Sequence, residues 1–253
     1  MKKTILLLIY LVTISNYAQT LSIAETINKA GRQRMLSQRM AKDFVLIGSG
    51  IKTEEATKEL DDATVLFNET HNELVLFSKN DEVTKSLEFV DGLWKKYRQK
   101  VLSTPDVDLA ATVIADANNL TNACNIVVEK IVASSNSKKA PLPNICGRQR
   151  MLSQKMALLY AAYAWQVPYK NLNKELDTAI NDFQVGLTTL QDNDNNTDEI
   201  KTILKLQASE WDFLKSSFDL NKERLTPVQV FSSTNLVMKN FDRATKLYEK
   251  LIQ

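Results

Sequence analysis

Residues Gly31–Gln38 read GRQRMLSQ, and the same eight letters return at Gly147–Gln154. A core helix does not require such identity, because Leu, Ile and Met exchange at small cost in cores. An octapeptide with two arginines, two glutamines and a serine has the composition of a surface with a task. The identity extends outward at the same spacing of 116 residues. Asn28 matches Asn144, Met40 matches Met156 and Ala41 matches Ala157. The word KELD at Lys58–Asp61 recurs at Lys174–Asp177, and Phe67 and Leu74 match Phe183 and Leu190. Trp94 falls opposite Trp211 one residue out of step, and Asn119-Leu120 matches Asn235-Leu236 at the original spacing. Two identical words at one offset indicate two homologous repeats, 21–135 and 142–253, joined by the polar and proline-bearing SSNSKKAPLP at Ser134–Pro143.

Each repeat reads as four helices. Glycine and proline are scarce, at six and five residues, while Ala, Leu, Lys, Glu, Asn and Gln are plentiful. The expected helices run over 22–48, 54–78, 81–103 and 106–133, then 144–166, 169–191, 197–222 and 227–252. Gly48-Ser49-Gly50 stops the first, Thr104 and Thr197 are candidate caps, and Thr226-Pro227 is a cap followed by proline in the first turn. Short connections between helices of this length predict an all-α protein of two tandem up-down four-helix bundles packed together. Trp94, Trp211, Phe67 and Phe183 are expected in the cores.

On a helical wheel the first helix carries Leu36, Met40, Phe44 and Ile47 on one side. Ala30, Arg34, Ser37, Gln38, Ala41 and Val45 make an adjacent small, polar face with Gly31 at its margin. Arg32 and Arg39 fall far from Arg34, and these two, with Arg148 and Lys155, read as solvated. Small residues let another helix approach, and a guanidinium among them needs a partner. Arg34 therefore either pairs with an acid of its own bundle or awaits a ligand. If the two first helices meet, Arg34 and Arg150 converge, and an anion between them relieves their repulsion. A planar anion such as nitrate takes in-plane hydrogen bonds from both guanidinium forks. Gly31 and Gly147 then mark close backbone approach, since a mid-helix glycine costs about 1 kcal/mol against alanine. The second copy differs in having Leu158 and Leu159 where the first has Lys42 and Asp43, which predicts a helix buried between the bundles.

The chain of 253 residues opens with Lys2-Lys3 and an apolar Thr4–Ile14. That stretch is shorter than the roughly 20 residues of a membrane span and reads as an export leader ending near Ala18. With no second spanning stretch, the expected location is periplasmic or secreted, with no membrane span left after leader removal. A net charge of +2 with mixed signs gives no case for nucleic acid. The two cysteines, Cys124 and Cys146, are expected as buried thiols, with a disulfide left open. Catalysis finds no support: His71 is the one histidine and reads as solvated, and no metal-spaced cluster or nucleophile triad can be assembled. No cofactor is implied.

The pattern N-x-x-G-R-Q-R-M-L-S-Q-[RK]-M-A, at Asn28–Ala41 and Asn144–Ala157, resembles the signature of the type IV pili methyl-accepting chemotaxis transducer N-terminal domain. That domain is related to the sensor domain of nitrate/nitrite sensor kinases, whose first helix carries a G-x-x-R-M core. The resemblance implies periplasmic four-helix bundles. It also implies nitrate held at a two-fold interface of first helices by the arginine of that core and nearby backbone. Here those residues are Arg34 and Arg150, with Gly31 and Gly147; the polar face adds Ser37, Ser153, Gln38 and Gln154. Two copies in one chain imply that a single chain supplies both halves of the site. The expected function is an exported sensor-type binding protein for a small oxyanion, nitrate or nitrite first. The competing expectation is a helical interaction or structural module of the cell envelope with no anion ligand. In either case a membrane receptor or envelope protein is a conceivable partner.

Overall fold

A computed structural model describes residues 21–78, 80–135 and 137–252. The expected export leader lies outside them. The described residues form eight α-helices in chain order. The first four are α1 (Ile23–Gly48), α2 (Thr53–Phe77), α3 (Asp81–Val101) and α4 (Val107–Ser134). The second four are α5 (Pro141–Ala164), α6 (Leu172–Gln191), α7 (Asp198–Leu214) and α8 (Pro227–Lys250), with a short 3-10 turn at Lys215–Phe218. No described helix is long and apolar enough to cross a membrane.

The helix starts follow side-chain chemistry. Ser22 accepts from the Glu25 amide at 3.2 Å while Glu25 accepts from the Ser22 amide at 2.8 Å, a reciprocal cap of about 1 kcal/mol. Asn80 and Thr197 cap α3 and α7. For α4 the capping residue is Asp106 rather than Thr104, because its carboxylate reaches the amides of Asp108 and Leu109. Thr226 occupies the cap position of α8 but its side chain makes no capping bond. Three expected boundaries move. The α5 helix begins at Pro141 rather than 144, since both prolines of the seam sit in its first turn, where no amide is needed. The start of α6 shifts to Leu172, past the Pro168 turn. The α7 helix stops at Leu214 rather than 222, tightening into the 3-10 turn.

Within each bundle the first helix is central: α1 packs on α2 and α4, and α5 packs on α6 and α8. The most extensive contact of all joins α1 to α5. These two helices run parallel, as equivalent residues face each other. Gly31 and Gly147 share the same neighbours, and Gly48 at the end of α1 lies under the Trp165 ring at the end of α5. A pseudo-two-fold axis therefore runs along the helices. Both are buried on nearly every side, α1 as well as the more apolar α5. The aromatic cores repeat too, with Phe67 stacked on Trp94 at 4.2 Å and Phe183 against Trp211 at 4.4 Å. Cys124 and Cys146 are free buried thiols, pushed up to about 12 by desolvation.

Candidate functional site

The octapeptides meet at the centre of the α1–α5 contact. Arg34 and Arg150 are 1% and 0% exposed. A β-carbon placed on Gly147 would lie 3.1 Å from Arg150 Nη2 and 3.6 Å from Arg34 Nη2. One placed on Gly31 would lie 3.2 Å from Arg34 Nη2 and 3.8 Å from Arg150 Nη2. Both guanidiniums thus lie side by side over the paired glycines, and this approach is what the two glycines allow.

Their hydrogen bonds differ. Arg34 donates to Asn125 Oδ1 at 2.6 Å and to the Asn144 carbonyl at 3.3 Å, both uncharged. Arg150 donates to Asp242 Oδ1 at 2.5 Å and to Asn28 Oδ1 at 2.6 Å. Each Nε is buried without a partner among the described residues. Burial first, and Arg150 second, push Arg34 down to about 9. Burial also lowers Arg150, with Asp242 opposing. Each buried charge lacks part of its hydrogen bonding, the arrangement that an anion would complete. Arg34 also lines a cavity of about 380 Å³ together with Asn125, Glu129, Asn144, Arg148 and Met151.

The remaining site residues lie elsewhere on the same contact. The Ser37 and Ser153 hydroxyls donate to carbonyls of their own helices, those of Gln33 and Arg150. Gln38 and Gln154 sit one turn further along and open two matching straps between the repeats. Gln38 Nε2 donates to Asn118 Oδ1 at 3.1 Å, Asn118 Nδ2 donates to Glu175 Oε2 at 2.9 Å, and Lys155 pairs with Glu175 at 2.8 Å. Gln154 Nε2 donates to Asn235 Oδ1 at 3.2 Å, Asn235 Nδ2 donates to Glu59 Oε1 at 2.8 Å, and Arg39 pairs with Glu59 at 3.1 Å. Each strap runs from one repeat to the acid of the other repeat's KELD word. That acid is Glu175 in one strap and Glu59 in the other.

The straps correct the repeat alignment. Asn118, not Asn119, is the counterpart of Asn235, so the one-residue slip at Trp94 and Trp211 persists to the chain end. Burial agrees: Leu120 is buried and Leu236 is 49% exposed, whereas Val237 is buried. Asn125 and Asp242 are then equivalent positions. The straps also correct the reading of Arg39 and Lys155 as solvated; both are half-buried in ion pairs. Arg32 is likewise held by Asp242, while Arg148 is half exposed beside Asp182. His71 is buried and shares a hydrogen bond with Gln33 rather than facing water.

One strap has an addition. Lys42, fully buried, donates to Glu59 at 2.9 Å, Gln154 at 2.9 Å and Asn235 at 3.1 Å, and lies over the Phe231 ring. Asp43 beside it is fully buried, and desolvation raises its carboxyl to about 7 against the pull of Lys42. In the other strap Tyr169 donates to Glu175 at 2.6 Å. Sequence reasoning missed Glu59, Glu175, Asn118, Asn235, Asn125 and Asp242. The KELD repeat was the available signal for the two glutamates.

No curated protein and no solved structure is similar enough to the chain to match. Residues 16–121 span the first octapeptide, α1 to α3 and the first half of α4. They match the family model described as "Type IV pili methyl-accepting chemotaxis transducer N-term" (PilJ).

Proposed function

We propose that the chain is an exported sensor-type binding protein for a small oxyanion, nitrate or nitrite first, held between Arg34 and Arg150. In this reading residues 1–18 are a leader, 21–135 and 142–253 are two copies of the sensing domain, and the protein works in the periplasm or outside the cell. One observation carries the anion: two buried guanidiniums stand side by side, and among the described residues neither Nε has a partner. The cavity on the Arg34 side offers the approach. Glycine at 31 and 147 leaves the guanidinium faces unobstructed. The test is thermal unfolding with added nitrate or nitrite. Nitrate raises Tm of the wild type, and Arg34→Ala or Arg150→Ala removes the shift; no binding at millimolar nitrate or nitrite contradicts the reading.

A second reading, a non-catalytic interaction or structural module of the envelope, draws on the straps and on the Arg150–Asp242 ion pair. Under it the octapeptide exists to join the repeats, and anions leave Tm unmoved beyond general salt effects.

A further inference from the structure

The two halves of the arginine site are not equivalent, and the difference is one charge. Asn125 on α4 accepts from Arg34 at 2.6 Å, and Asp242, at the equivalent place on α8, accepts from Arg150 at 2.5 Å. A carboxylate therefore stands on one side of the pseudo-axis and its neutral isostere on the other. The two guanidiniums have one carboxylate among their direct partners, so at contact distance one positive charge of the pair remains uncompensated. Among the described residues no other charged side chain is hydrogen-bonded to either guanidinium. Glu129, which is exposed, accepts from Asn125 Nδ2 at 2.6 Å rather than from a guanidinium, Arg148 is paired with Asp182, and burial raises the Glu249 carboxyl. Arg32 shares Asp242 Oδ1 with Arg150, at 3.3 Å, and Lys246 pairs with the other oxygen at 3.2 Å. The cavity reaches Arg34, the arginine with no carboxylate.

We propose that Asp242 sets the charge of the ligand, restricting the site between Arg34 and Arg150 to monovalent oxyanions and rejecting divalent ones such as sulfate. This rests on the anion-binding reading above. A monovalent anion balances the residual charge of the buried pair. A divalent anion leaves one negative charge buried beside Asp242, and like charges in a desolvated site are strongly disfavoured. Asp242 acts through Arg150 as a positioning and charge-setting residue.

The experiment is calorimetric titration of the full chain with sodium nitrate and with sodium sulfate at constant ionic strength. Direct titration is needed because sulfate stabilises proteins by exclusion from their surfaces, without a site. The wild type binds nitrate and not sulfate. In Asp242→Asn the preference for nitrate over sulfate falls by about tenfold or more. The exchanged variant, Asn125→Asp with Asp242→Asn, moves the carboxylate across the pseudo-axis and restores the preference. A merely structural role for Asp242 gives no such restoration. Should Asp242→Asn fail to fold, the exchanged variant and the wild-type comparison decide. Wild-type sulfate binding as tight as nitrate, or nitrate binding with an unchanged ratio in Asp242→Asn, overturns this proposal and leaves the anion site standing. Binding of neither anion by the wild type overturns both.

Discussion

The arginine pair and the glutamate straps are built by the same repeated sequence, a single helical turn apart, yet they are chemically opposite. In the straps every charge meets its complement: Glu59 faces Arg39 and Lys42, and Glu175 faces Lys155. At the centre only Arg150 of the two buried cations meets a carboxylate, and neither Nε has a partner among the described residues. The straps thus account for the cohesion of the repeats, and the centre holds the unspent binding capacity. On the proposed reading part of the octapeptide serves packing and part serves a ligand, and substitutions should separate the two.

The largest expected effect falls on the strap that contains Lys42. Glu59→Ala leaves a fully buried ammonium short of its main carboxylate and should destabilise by about 3 kcal/mol, read by urea unfolding. Glu175→Ala, whose partners Lys155 and Tyr169 are less buried, should cost about half as much. Equal costs would mean that Lys42 contributes nothing to the asymmetry.

Next come the amides. Asn235→Ala removes an acceptor from Lys42 and Gln154 and a donor to Glu59, and should cost about 2 kcal/mol; Asn118→Ala should cost about 1 kcal/mol. Substitution of Asn119, which is exposed, should be silent. That contrast also tests the shifted alignment of the fourth helices.

Acid dependence gives a smaller effect. Asp43 has a native carboxyl raised from 3.8 to about 7, so over that window the folded state holds a proton that the unfolded state has lost. Its contribution to stability is greatest below the unfolded value and is lost as pH rises toward 7. Asp43→Asn should therefore gain stability above pH 7 relative to the wild type and flatten the slope below it. Glu59, Glu175 and Asp242 are lowered, although burial opposes it, by their cationic partners and hydrogen bonds. They work in the other direction, stabilising above the ordinary carboxylate range and losing that contribution on acidification.

Among the buried side chains the smallest change in stability should come from the most conspicuous one. Arg34→Met replaces an incompletely bonded buried cation with an apolar side chain of similar length, and should be neutral or stabilising within about 1 kcal/mol. It should nevertheless remove the nitrate response. Loss of stability comparable to Glu59→Ala would show that Arg34 serves packing.

Much of this fold was legible in the sequence, because helical periodicity and repeated words are local signals. The wheel separated Leu36 and Met40 from Arg34 and Gln38, and the repeat placed Arg34 opposite Arg150. Partners were less legible. Whether Arg39 meets water or Glu59 depends on where α2 lies, and whether Asn118 or Asn119 matches Asn235 depends on a one-residue insertion ahead of Trp211. A short identical word, Asn-Leu, pointed to the wrong register, since identity over two letters carries less information than burial. The α5 helix starts earlier than the seam's prolines suggest, because proline breaks a helix interior but suits a first turn. His71, expected to face water, lies against Phe67 and shares a hydrogen bond with Gln33 on α1, a neighbour that the sequence of α2 does not reveal.

The most direct measurement is the stoichiometry of nitrate binding by calorimetric titration of the purified chain at fixed ionic strength. If the two octapeptides of one chain build one site, nitrate binds once per chain, and neither Arg34→Met nor Arg150→Met binds it. One nitrate per two chains, or retained binding in either variant, would contradict that claim.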